Sequence, residues 1–197
     1  PSSGLTVPNR LAQEKLLRRV LATAQVEADA VSYIEAHGTG TSLGDPIEMH
    51  AIAETYGQGH PSDRPLIVGS IKTNIGHLES AAGIAGLIRV VLGLQHQEVS
   101  PLLHFHSLNP HVAVEGFPLV IPTGRMAWPE GAGPRIGAVS SFGLSGTNAH
   151  VILQEAPAAA AQPARFERPS HLVPVSARSD EALQVASARL SAWVSGA

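Results

Sequence analysis

Two histidines and one lysine carry the chemistry this sequence could do. His37 ends a largely apolar run and opens a Gly/Thr loop, Gly38-Thr39-Gly40-Thr41. An imidazole can donate a ring N–H or exchange a proton near neutral pH. Gly38 and Gly40 allow the backbone to turn and approach a ligand closely, and Thr39 and Thr41 place hydroxyls in the same loop. Asp45-Pro46-Ile47-Glu48 then reads as a helix start, with Asp45 as N-cap, Pro46 at the first position and Glu48 completing a box-like cap. Lys72 and His77 occur together in Lys72-Thr73-Asn74-Ile75-Gly76-His77. A third stretch, residues 142–148, is a Gly-rich tip whose backbone N–H groups could bind an oxyanion or a phosphate. Taken singly, each has a plain structural alternative: a histidine in a turn, or Gly and Asn that only reverse the chain.

The elements around these residues decide between the two. Residues 31–36 are mostly apolar and include β-formers, which predicts a strand. A helix over 46–56 and a buried strand over 66–71 follow. This β-loop-α-loop-β order predicts two parallel strands with a right-handed crossover. His37 and His77 then both lie just past the C-terminal ends of strands, the rim where open α/β sheets bind ligands. Convergence on one rim, with Lys72 between them in sequence, raises the functional reading of each histidine. Helical spacing of Leu11, Leu16, Leu17, Val20 and Leu21 predicts a helix over 11–24, entered at Pro8-Asn9. The next predicted helix, 79–94, holds Ala81, Ala82, Gly83, Ala85 and Gly86 in its first half. Each interior Gly costs about 1 kcal/mol relative to Ala, which makes sense for a helix pressed closely between layers. An edge strand is expected over 117–121 and a hairpin over 135–155. Residues 157–168 read as an Ala/Pro-rich linker. A short strand over 171–175 and a helix over 181–194 open a second unit.

Composition narrows the class. The chain has 197 residues, is 44% hydrophobic and carries a formal net charge of −3, with no basic patch for nucleic acid. No apolar run is long enough for a membrane span. There is no Cys, so disulfides and thiolate metal sites are excluded and any cysteine nucleophile must come from elsewhere. The absence fits a reducing compartment, and a cytoplasmic location is expected. His96, His104, His106 and His111 do not share one helix face, and prolines interrupt them. A turn-rich loop is expected there rather than a metal site. Both ends read as cut from something longer.

Three stretches, EAHGTGTSLGDPIE (35–48), KTNIGHLESAAGIAGLI (72–88) and SSFGLSGTNAHVILQEAP (140–157), resemble the β-ketoacyl synthase domain of modular type I polyketide synthases. GLTVPNRLAQE (4–14) and LHFHSLNPHV (103–112) are similar to the same family, and LVPVSARSDEAL (172–183) resembles the start of the linker joining a ketosynthase to its acyltransferase. The resemblance implies an α/β fold: the C-terminal half of a thiolase-like domain, a five-stranded mixed sheet with helices within α-β-α-β-α layers. It implies residues 1–156 as that half, 157–168 as linker and 169–197 as the truncated start of the linker domain. The nucleophilic Cys belongs to the other half.

The implied reaction is a decarboxylative Claisen condensation of an acyl thioester with a malonyl-type unit on an acyl carrier protein. His37 and His77 match the family's catalytic histidines and Lys72 its active-site lysine. Asp45 and Glu48 match acidic positions associated with that lysine, and Thr39 and Thr41 the threonines that bind the phosphopantetheine arm. Leu144 matches the gate of the Gly-rich tip, whose backbone N–H completes an oxyanion hole, and Asn148 holds the tip in shape. No metal or separate cofactor is implied. The implied partners are the carrier protein, the N-terminal half, an adjacent acyltransferase domain and a second copy in a homodimer, with no nucleic acid and no membrane. The chain alone is expected to be inactive and to expose an apolar face on the helix 79–94. Another class remains in competition, a non-catalytic ketosynthase-like dimerisation or transfer platform. A degradative thiolase is disfavoured because that family uses a second Cys.

Overall fold

A computed structural model describes residues 8–112, 116–131, 133–143, 146–157 and 170–196. The chain forms two compact units, Pro1–Pro157 and Ala158–Ala197. The first opens with helix α1 (Arg10–Ala24), entered through Asn9, whose side chain accepts the Ala12 N–H at 3.0 Å. Gln13, Leu17 and Leu21 form its buried stripe. Strand β1 (Tyr33–Glu35), helix α2 (Gly44–Tyr56) and strand β2 (Leu66–Gly69) follow. As the sequence predicts, β1 and β2 are parallel. A one-turn helix α3 (Lys72–Ile75) leads through a 3-10 turn (Glu79–Ala81) into α4 (Ala82–His96). Short strands β3 (Glu98–Val99) and β5 (Met126–Ala127) pair with each other. Strand β4 (Leu119–Val120) lies at a sheet edge, and β6 (Ile136–Phe142) and β7 (Asn148–Gln154) form the hairpin.

The main sheet is mixed, with order β4-β2-β1-β6-β7. Strand alternation sorts its side chains onto two faces. Ile34, Ala36, Val68 and Ala138 pack with α1 and α2 in one core, while Tyr33, Ile67 and Val139 pack with Val90 and Leu94 of α4 and with Trp128 in another. The small residues of α4 serve close approach to the sheet. A Cβ at Gly86 would lie 3.0 Å from Glu35 Cγ, and one at Gly93 would lie 2.9 Å from the Trp128 ring. The larger residues point away: Ile84, Ile88 and Leu92, one helical turn apart, are 55%, 50% and 47% exposed. This is the expected apolar face.

Several boundaries differ from the sequence reading. The second strand stops at Gly69 rather than 71, because Ile71 donates its N–H to the Glu35 carboxylate instead of a neighbouring strand, and Lys72 begins a helix. The helix expected from 79 starts at Ala82. Glu79 has φ +50°, which α-helix does not allow. In the second unit, the 171–175 stretch forms no strand and pairs with none among the described residues. Among the described residues of that unit its β-formers have no sheet edge to join. Helix α5 (Asp180–Ser195) is capped by Ser179, which accepts the Ala182 N–H at 3.2 Å, and carries Asp180 and Glu181 in its first turn. Most of the linker over 157–168 lies outside the described residues.

A buried histidine ties the hairpin to α2. His150 Nε2 meets Tyr56 Oη at 2.7 Å and its Nδ1 meets Ser140 Oγ at 3.0 Å. Burial lowers its pKa from 6.5 to about 4. The unfolded chain therefore takes up a proton below pH 6.5 that the folded protein refuses until about pH 4. Stability from this site is full above 6.5 and is lost as pH falls across that window, by about 3 kcal/mol. Denaturant unfolding at pH 7 and pH 4.5 should show a smaller acid loss in His150→Gln than in the wild type. An equal loss in both would exclude His150 as its source.

Candidate functional site

The site lies past the C-terminal ends of β1 and β2, and β6 contributes to it. The His37 and His77 rings meet edge to face, with centroids 5.5 Å apart at 85°. The Phe142 ring, at the end of β6, lies 5.6 Å from His37. Parallel pairing of β1 with both β2 and β6 brings these three together.

Each histidine is held differently. The His37 backbone N–H donates to Glu48 Oε1 at 2.7 Å and the Gly38 N–H to Glu48 Oε2 at 2.9 Å. One carboxylate thus fixes the first turn of the loop. Burial, then Lys72 and His77, lowers the His37 pKa to about 4, so its ring is neutral at pH 7. His77 stands in the turn between α3 and α4, and its Nδ1 accepts the Glu79 N–H at 2.9 Å. An accepting Nδ1 carries no proton, so the proton of a neutral ring sits on Nε2. His77 therefore presents an Nε2–H donor beside His37.

Lys72 is half-buried. Burial lowers its pKa, while Glu35, Glu48 and Asp45 raise it. Burial raises Glu48 to about 7 despite its two N–H bonds and Lys72. Asp45 is also raised by burial, against N–H bonds from Gly40, Thr41 and Thr39.

The capping expectation needs correction. Helix α2 begins at Gly44, so Asp45 is inside its first turn rather than at the N-cap, and Asp45 reaches back to the Gly40 N–H at 3.1 Å. Glu48 does not close a capping box. It takes the orphan N–H groups of the preceding loop. Thr41 Oγ1 accepts the Gly44 N–H at 3.0 Å and supplies the side-chain cap that Asp45 does not. Thr41 Oγ1 also lies 3.4 Å from Thr39 Oγ1. With its oxygen already accepting, Thr41 keeps an O–H to donate.

At the hairpin tip, Gly143 donates to the Thr147 carbonyl at 2.7 Å and Gly146 to the Gly143 carbonyl at 3.0 Å. Asn148 opens β7 opposite Phe142. Leu144 lies outside the described residues. Three contributors were missed in the sequence: Glu35, Phe142 and the Glu79 N–H. Only Glu35 left a usable signal, a carboxylate inside a buried strand on the same face as His37. Among the described residues no three His, Asp or Glu groups gather as metal ligands, and no helix is long and apolar enough to cross a membrane.

A mixed sheet of this order, with two imidazoles and a lysine on its carboxyl rim and a glycine-rich hairpin beside them, defines an α/β unit with one candidate reaction site. The family described as "Beta-ketoacyl synthase, C-terminal domain" matches residues 1–106, and "Ketoacyl-synthetase C-terminal extension" matches residues 109–196. The spectinabilin polyketide synthase system protein NorB of Streptomyces orinoci is 48% identical over 97% of this chain and 9% of its own length. Erythronolide synthase EryA3 of Saccharopolyspora erythraea is 47% identical over 96% of this chain and 6% of its own. Among solved structures, the oxazolomycin ketosynthase domain OzmH KS7 of Streptomyces albus JA3453 superposes with a TM-score of 0.85 at 40% identity, covering 99% of this chain and 34% of that one. Ketosynthase twelve of the bacillaene synthase of Bacillus amyloliquefaciens gives a TM-score of 0.81 at 38% identity, covering 100% and 33%. The fold is therefore thiolase-like. The chain belongs to the β-ketoacyl synthase family, as a C-terminal ketosynthase segment of the modular polyketide synthase kind with its extension toward the acyltransferase linker. It spans about a tenth or less of the curated relatives and about a third of the solved ketosynthases.

Proposed function

We propose that this chain supplies the His/His/Lys half of a site for decarboxylative Claisen condensation. The acyl group arrives as a thioester on a cysteine of the N-terminal half. A malonyl-type unit arrives on the phosphopantetheine arm of an acyl carrier protein. The bond from the malonyl α-carbon to its carboxylate breaks, CO2 leaves, and the electron pair becomes an enolate. The α-carbon then attacks the acyl carbonyl, and the cysteine thiolate departs. Negative charge develops on the extender's thioester oxygen, where N–H donors lower the barrier most.

The observation that carries this reading is the His37–His77 pair, with the His77 proton fixed on Nε2 by the Glu79 N–H. Lys72 supplies positive charge beside the pair. The Thr39 and Thr41 hydroxyls suit the amides of the pantetheine arm, which carries the substrate in place of a separate cofactor. Leu144 would gate the tip, and Asn148 would hold it. The exposed Ile84, Ile88 and Leu92 face of α4 fits burial against the N-terminal half, in a homodimer whose adjacent domain is an acyltransferase.

The test is CO2 release and product formation by the intact synthase with a malonyl-loaded carrier protein. His37→Ala with His77→Ala should abolish both and leave acyl loading of the cysteine intact. Unchanged CO2 release would overturn the assignment and favour a non-catalytic platform.

A further inference from the structure

Glu35 is the most deeply buried carboxylate described, 1% exposed, and the condensation steps above assign it no role. Strand alternation places it on the same sheet face as His37, two residues on. Its Oε2 accepts the Tyr33 Oη–H at 2.6 Å and lies 3.3 Å from Arg89 Nη1. Its Oε1 accepts the Ile71 N–H, one residue before Lys72. Arg89 is anchored in turn, donating to Ser100 Oγ at 3.0 Å, the Ser100 carbonyl at 2.8 Å and the Pro101 carbonyl at 3.2 Å. Helix α4 makes room for this group at Gly86, where a Cβ would crowd Glu35 Cγ.

We infer that Glu35 is a positioning residue of the condensation site: it clamps the turn that carries Lys72 to the strand end that carries His37. The inference rests on the condensation reading. Geometry gives the reason. The carboxylate joins β1, the start of α3 and α4 at one point, and the Ile71 N–H has Glu35 as its acceptor. A buried ion pair adds little net stability over an apolar pair of similar volume. Stability alone therefore does not account for a pair that also costs α4 a side chain at 86. Among the carboxylates acting on Lys72, Glu35 is the strongest, ahead of Glu48 and Asp45. The groups facing Glu35 itself are Arg89, Tyr33 and Lys72.

The experiment uses the intact synthase and follows acyl loading, CO2 release and condensation. The double variant E35L/R89M removes the whole ion pair while keeping volume, so folding should survive. Loading should be unchanged, and condensation kcat should fall roughly 10- to 100-fold with little change in KM for the malonyl carrier protein, as expected for misplaced catalytic groups. E35Q keeps an acceptor for the Ile71 N–H and should lose less rate. Without the carboxylate charge on Lys72, its alkaline limb in the rate–pH profile should move to lower pH. Wild-type condensation in folded E35L/R89M overturns the inference. If the double variant does not fold, E35Q decides, and an unmoved alkaline limb overturns it. K72A separates the two levels. If K72A condenses normally, the His/His/Lys assignment on which the inference rests fails. If K72A is impaired while the Glu35 variants are not, only the role of Glu35 fails.

Discussion

Replacing His77 with alanine in the intact synthase is expected to slow condensation by about 10²–10³-fold, the usual effect of removing one preorganised donor from an oxyanion site. Loading of the acyl group should be unaffected. The size follows from how the imidazole is set. The Glu79 N–H occupies Nδ1, so the ring has one donor and that donor is Nε2–H. The protein has fixed this before substrate arrives, so no reorganisation is needed as the enolate charge forms. His37, neutral at pH 7 with a pKa near 4, can add the second donor. His77→Gln keeps an amide N–H at a similar reach and should retain more activity than His77→Ala. Single-turnover CO2 release separates the step concerned. Wild-type decarboxylation in His77→Ala would remove His77 from enolate stabilisation.

The ease of reading this site from sequence follows from where each constraint is local. His37 directly follows a short apolar run and is followed by Gly38, whereas His77 comes eight residues past β2, after the one-turn helix α3 and Gly76, so each histidine is tied to its strand end by a short local stretch. The parallel crossover then places both histidines on one edge. The Gly/Ala stripe of α4 likewise announced close packing, and its opposite apolar face is found in the structure at Ile84, Ile88 and Leu92. Side-chain partners chosen across the fold were not legible. Asp45 and Glu48 have the spacing of helix caps, yet they serve the N–H groups of Gly40, His37 and Gly38. The difference is a helix start at Gly44, which one turn of sequence cannot fix. Glu35 depends on Arg89 in a distant helix and on the absence of a side chain at 86. The stretch over 171–175 shows the converse. It has strand propensity, but β-structure requires an edge to pair with.

Glu48→Ala is expected to cause the largest loss of stability of any single change at the site. Its carboxylate accepts two N–H groups, from His37 and Gly38, and it is 4% exposed. Truncation leaves both donors without that acceptor, at roughly 1–3 kcal/mol each. The loop carrying His37 should relax, so condensation should fall by more than the unfolded fraction accounts for. The pH dependence has a definite sign. Burial raises the folded pKa of Glu48 from 4.5 to about 7, so between these values the folded protein holds a proton that the unfolded chain has released. Stability from this group is therefore greatest below pH 4.5 and declines as pH rises toward 7, by about 3 kcal/mol. Glu48→Gln cannot ionise and keeps one carbonyl acceptor. Its unfolding free energy should lack that decline and should lie above that of Glu48→Ala at every pH. Denaturant titrations of the intact ketosynthase at pH 5 and pH 8 measure both quantities. A wild type and a Glu48→Gln variant with the same difference between the two pH values would show that Glu48 is ionised throughout, and that its two N–H bonds outweigh burial.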